Sequence, residues 1–85
     1  MPFYLPKSVT QETVMQLQMQ GFVNLVDLQV IDCSELKDFD STVLTVLLAW
    51  QKRLRDDGLS ISIKSAPEKL KVLAGVYGVA GLLGL

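Results

Sequence analysis

Histidine is absent from this chain, which removes the commonest metal ligand and the commonest general base at neutral pH. Cysteine is almost absent. Cys33 stands alone, so there is no disulfide framework and no thiolate cluster for zinc, and a reducing compartment fits best. Charge of one sign is also lacking: eight basic residues stand against nine acidic ones. The small basic group Lys52, Arg53 and Arg55 is offset by Asp56 and Asp57, so nucleic acid has little to hold. The most apolar stretch, Val72 to Leu85, falls short of the roughly 20 residues of a membrane-spanning helix and carries Gly75, Gly78, Gly81 and Gly84. The opening residues MPFYLPK lack a basic segment followed by an apolar one, so no signal peptide is expected. These absences lead to the expectation of a soluble cytoplasmic protein with no cofactor, no metal, no nucleic-acid partner and no membrane span.

What is present is apolar. The 85 residues, expected to form a single domain over 1–85, are 49% hydrophobic, with a mean hydropathy of +0.35. A chain of this length buries only roughly 60–65% of the surface it would expose unfolded. Part of the apolar surface is therefore expected to face a partner.

Periodicity gives the elements. Phe3-Tyr4-Leu5, between Pro2 and Pro6, reads as an edge strand, where prolines are tolerated. Thr10, Glu12 and Thr13 mark a helix start. Val14 and Leu17 give that helix one weak apolar side, its glutamines give a neutral one, and Gly21 is expected to end it. Leu25 to Ile31 reads as a buried central strand, followed by Asp32, Cys33 and Ser34 and by a loop over Glu35 to Phe39.

The clearest element runs from Ser41 to about Asp56. At 100° per residue Val43, Leu47, Trp50 and Leu54 form one stripe, widened by Leu44 and Val46. Thr42, Thr45, Ala49, Lys52 and Asp56 share the other side, with Ser41 at its top, and Asp57-Gly58 stops the helix. Leu59 to Lys64 alternates strictly, as in a strand buried on one face. Ser65-Ala66-Pro67-Glu68 fits a capping box with proline in the first turn. Leu70, Val72, Leu73, Val76 and Tyr77 then recur at helical intervals up to Gly78. Strands alternating with helices over short connections indicate an α/β layer with parallel neighbours. The one-sided strand at 59–64 indicates helices on only one sheet face.

Asp40-Ser41-Thr42 brings two hydroxyls and a carboxylate to a helix N-terminus. There they can cap free backbone N–H groups, bind a partner, or accept a phosphoryl group where the amides and dipole favour an anion. Below them the polar side of the helix is small rather than charged at Ser41, Thr42, Thr45 and Ala49, with Leu48 on its border. Small side chains let another backbone approach, so a protein interface is expected there. Asp32 and Asp40 are both carboxylates near strand or helix ends, and paired carboxylates can do acid–base work or bind magnesium. With no histidine, no Gly-rich phosphate loop and no third ligand, no catalytic residue and no metal ligand is assigned, and an enzyme is not expected. Cys33, beside Asp32 and Glu35, reads as a small buried thiol.

The strand ending VIDCS, the acidic loop, the D-S-T helix start and the leucine-rich VLLAWQKR resemble the STAS domain, named for sulfate transporters and anti-sigma-factor antagonists. Pro67, Leu70, Leu73-Ala74 and Tyr77-Gly78-Val79 match a later family pattern and narrow the resemblance to the small STAS subunit of the Mla phospholipid transporter of Gram-negative bacteria. The likeness covers about Leu5 to Leu83 and lies in the order and spacing of motifs. It implies an α/β STAS-type domain, with an about four-stranded mixed sheet and helices packed on one face.

It further implies a non-enzymatic cytoplasmic subunit, peripheral to the inner membrane through its partner. That partner is an ABC transporter ATPase, and through it the permease complex, in a system that maintains outer-membrane lipid asymmetry. The residues expected to bind it are Asp40, Ser41, Thr42, Thr45, Leu48, Ala49 and Lys52. The alternative is an anti-sigma-factor antagonist switched by phosphorylation: Thr42 falls where those proteins carry their phosphorylated serine, and Ser41 is the other acceptor. Two departures stand out. Val43 replaces the usual glycine after the hydroxyl pair, and the short N-terminus leaves room for one strand where many relatives have a hairpin. The latter would leave a sheet edge open to homodimerisation.

Overall fold

Three short strands, β1 (Phe3–Tyr4), β3 (Val30–Asp32) and β5 (Ser62–Lys64), form a parallel sheet with β3 in the middle. A computed structural model describes residues 2–85. The fold is α/β. Parallel strands cannot be joined by a tight turn, and here α1 (Val14–Phe22) lies between β1 and β3 while α2 (Thr42–Asp56) lies between β3 and β5. Two further helices, α3 (Glu68–Val76) and α4 (Ala80–Leu83), follow the last strand. A separate parallel pair joins β2 (Ser8–Val9) to β4 (Asp38–Phe39). The sheet thus differs from a single mixed sheet of about four strands: among the described residues every pairing is parallel, and the strands are divided three and two. Pro6 supplies a reason, because it has no N–H to continue the β1 ladder.

Register explains which face is covered. Phe3, Ile31 and Ile63 stand side by side across the three strands, so their side chains share a face. Ile31 is fully buried, and Phe3 and Ile63 pack on the core. The opposite face presents the exposed Tyr4, Ser62 and Lys64 with the half-buried Val30 and Asp32. Helices therefore cover one face, as the alternation at 59–64 indicated. α2 is the keystone: it packs on α1 at one side and α4 at the other, and buries Val43, Leu44, Val46, Leu47, Trp50 and Leu54.

Trp50 fixes the seam between α1 and α2. It is fully buried, its ring meets Phe3 edge-on at 5.2 Å, and its indole N–H donates to the carbonyl of Gln18 at 3.1 Å. Gly21 makes this approach possible, since a Cβ at that position would sit 2.3 Å from Trp50 Nε1. Gly21 thus does not terminate α1, which continues through Phe22; the glycine is there for close packing.

Other expectations need correction. The strand read over Leu25 to Ile31 is only Val30–Asp32, because Asp27–Gln29 forms a turn of 3-10 helix. An apolar run by itself does not separate these states. The loop over Glu35 to Phe39 contains β4. The capping box at Ser65 does not form: Ser65 is left-handed at φ 57, Pro67 is the N-cap, and no side chain caps α3. Along α3 the buried positions are Leu70 and Ala74, whereas Val72, Val76 and Tyr77 are exposed. No helix among the described residues is long and apolar enough to cross a membrane.

Candidate functional site

β4 delivers the chain to the mouth of α2. Phe39 is buried and anchors the approach, and Asp40 follows, exposed, immediately before the helix. One carboxylate oxygen of Asp40, Oδ1, accepts hydrogen bonds from the Thr42 backbone N–H at 2.9 Å and from the Thr42 hydroxyl. The Thr42 hydroxyl, then its N–H, hold the Asp40 carboxyl below its ordinary value, because both donors favour the ionised form. Asp40 is thus the side chain that caps α2, while Ser41 makes no side-chain capping bond. Val43 and Leu44 turn into the core, while Ser41 and Thr42 just before them are half-exposed.

The other wall comes from the end of α3. Gly78 adopts φ 72, a left-handed turn that suits glycine, and the Val79 N–H bonds back to the Ala74 carbonyl. This turn sets Tyr77 and Val79 against α2. The result is a shallow hollow of about 200 Å³ lined by Ser41, Leu44, Thr45, Leu48, Tyr77 and Val79. The structure thereby joins Ser41, Thr45 and Leu48 of the expected interface. Asp40 and Thr42 flank them at the helix start, and the half-buried Ala49 and the exposed Lys52 lie farther along α2, outside the hollow. Tyr77 and Val79 were missed as site residues, although the Tyr-Gly-Val motif contains both.

The chemistry of this hollow is steric and apolar at its centre, with hydroxyls at its rim. Asp32 stands apart as a strand-end carboxylate: it accepts the Ser34 N–H at 2.8 Å, and bonds from the Ser34 side chain and backbone lower its pKa. Asp32 and Asp40 thus each act as a local hydrogen-bond acceptor, Asp32 at the end of β3 and Asp40 at the start of α2. Cys33 is buried, and burial together with the Asp32 charge pushes its thiol up to about 12. Such a thiol is a poor nucleophile at neutral pH. Among the described residues no group of three or more His, Cys, Asp or Glu is arranged to hold a metal ion.

A family model described as "Mlab, STAS domain" matches residues 7–84. No curated protein matches the chain significantly.

Proposed function

This chain belongs to the STAS domain family, and from that premise we propose that it is a non-enzymatic accessory subunit of a phospholipid-transporting ABC system, binding and stabilising the ATPase. Membership gives a STAS-type role, of the kind served by transporter accessory subunits and anti-sigma-factor antagonists, in a family that is generally non-catalytic. The finer reading is carried by the hollow at the mouth of α2. Its α2 wall, with the small Ser41 and Thr45 beside Leu44 and Leu48, stands against Tyr77 and Val79, a surface into which a partner's side chain or backbone can settle. Asp40, Thr42, Ala49 and Lys52 extend the contact along the exposed side of α2. The protein acts in the cytoplasm and reaches the inner membrane through the ATPase and its permease.

Co-purification with the cognate ABC ATPase tests this reading. Ser41→Arg and Thr45→Arg place a long charged side chain in the hollow while leaving the buried stripe of α2 untouched, so binding is lost in a folded protein. Retention of the ATPase by both variants removes the hollow from the mechanism.

A second reading, an anti-sigma-factor antagonist switched by phosphorylation, draws on one observation: the Ser41 hydroxyl makes no capping bond at the positive end of α2. Thr42 is the weaker acceptor, because its hydroxyl is engaged by Asp40 and a phosphate there would meet that carboxylate. Incubation with a cognate anti-sigma kinase and ATP, read by intact mass, decides it: a gain of one phosphate favours this reading, and an unchanged mass rejects it.

A further inference from the structure

The helix α1 is apolar on two opposite sides. Leu17 and Gly21 are buried against α2, where Trp50 packs on the glycine. Turned away from them at helical spacing are Met15, Met19 and, at the helix C-cap, Val23, which are 72%, 66% and 80% exposed. Only the Leu17 and Gly21 side is covered within the chain, and the methionine row is left to solvent between polar glutamines. We infer that two copies of this chain pair through the Met15–Met19–Val23 row of α1 about a twofold axis.

Three features of that face select a second copy over other occupants. The first is charge. Between Glu12 and Asp27 the sequence carries no charged residue. A twofold contact sets each group near the axis against its own copy, which a charged face resists and a neutral one permits. The same neutrality argues against an anionic membrane, which is attracted by lysine and arginine.

The second feature is shape. Residues four apart form the ridges that interdigitate when two helices cross at about −50°. Met15, Met19 and Val23 are such a ridge, and beside it runs an open groove lined by Gln16, Met19, Gln20 and Val23. Ridge and groove thus lie side by side on one helix, as a self-complementary contact requires.

The third is hydrogen bonding. The residues bordering the ridge, Gln16 and Gln20, carry both donors and acceptors in one side chain, so each can pair with its own symmetry mate. None of these residues lines the α2 hollow, so pairing leaves the hollow open. A standard interface takes about 800 Å² from each partner. That is a large share of the 5115 Å² this chain exposes, so a single-helix contact belongs to the weak, micromolar end.

Sedimentation equilibrium of the intact chain, from about 10 µM to about 1 mM, tests this. The mass is expected to rise from 9.4 kDa toward twice that value. Met19→Glu sets two carboxylates against each other near the axis and raises the dissociation constant by about tenfold or more. Met19→Lys does the same, and an equimolar mixture of the two recovers the dimer by pairing opposite charges. A wild-type chain that remains at 9.4 kDa throughout overturns the inference. So does a dimer indifferent to Met19→Glu, which would lie elsewhere, as at the β1 or β5 sheet edge. Failure of the two charged variants to re-pair contradicts the twofold geometry.

Discussion

Replacing Gly21 with alanine drives a methyl group into the indole of Trp50. The added Cβ would lie 2.3 Å from Nε1, 2.4 Å from Cε2 and 2.6 Å from Cζ2, where carbon contacts prefer about 3.5–4.0 Å. Relief requires α1 to retreat from α2 by roughly 1 Å, and overpacking of this kind costs about 1–3 kcal/mol. The retreat also stretches the 3.1 Å bond from Trp50 Nε1 to the Gln18 carbonyl, and a buried donor left unpaired costs about 1–3 kcal/mol. Against this stands the better helix propensity of alanine, at most about 0.5–1 kcal/mol. The two penalties overlap, so a net loss of about 1–3 kcal/mol is expected.

Gly75 is a matched control. Each glycine is the last but one residue of a nine-residue helix, but a Cβ at Gly75 meets nothing within 4 Å. Gly75→Ala should therefore gain stability by about 0.5–1 kcal/mol. Urea unfolding followed by the single tryptophan reads both. At a slope of about 1 kcal/mol per M, the midpoint falls by about 1–3 M for Gly21→Ala and rises for Gly75→Ala. A midpoint that rises in both variants refutes the packing argument.

Cys33 should resist alkylation in the folded protein at pH 8 and react on addition of urea, as read by mass spectrometry. Because its folded pKa is raised from 9.0 to about 12, the stability it contributes is complete below pH 9 and is lost as pH rises toward 12, a decline that Cys33→Ala removes. Asp40 and Asp32 have the opposite sign. Their carboxyls sit below 3.8 in the fold, so their contribution is present above that pH and lost as pH falls through the lower folded values. A thermal-melt series at acid pH should fall less steeply for Asp40→Asn than for wild type, and equal slopes contradict the capping role. Ser65, at φ 57, tolerates no β-branch. Ser65→Val should lower stability by about 1 kcal/mol or more, measurable as a reduced urea midpoint, and an unchanged midpoint contradicts that backbone geometry.

Where sequence sufficed, one periodicity had one outcome. The stripe Val43, Leu47, Trp50 and Leu54 could be buried in a single way, and the alternation from Leu59 to Lys64 named its own inner face, although only Ser62–Lys64 of that run pairs as a strand. The capping carboxylate of Asp40 was equally local. Sequence misled where the deciding contact was distant. Gly21 resembles a stop signal until Trp50, far along the chain, is seen to fill the space of its missing side chain. Val72 and Val76 were a different case: they stand two and six residues from Leu70, on the opposite side of a helix, so α3 turns Leu70 and Ala74 inward and leaves both valines to solvent. Tyr77 and Val79 enter the site only because Gly78 reverses the chain onto α2, a tertiary event that the motif Tyr-Gly-Val records without explaining. The β2–β4 pair was too short to leave a periodic trace.

The central claim is that the hollow between α2 and Tyr77 is the docking surface for the ATPase. Isothermal titration of the cognate ATPase with wild type, Thr45→Arg and Met19→Glu tests it most directly, with circular dichroism confirming that each variant is folded. The account predicts that Thr45→Arg abolishes measurable heat while Met19→Glu binds like wild type. Equal binding by wild type and Thr45→Arg would contradict it.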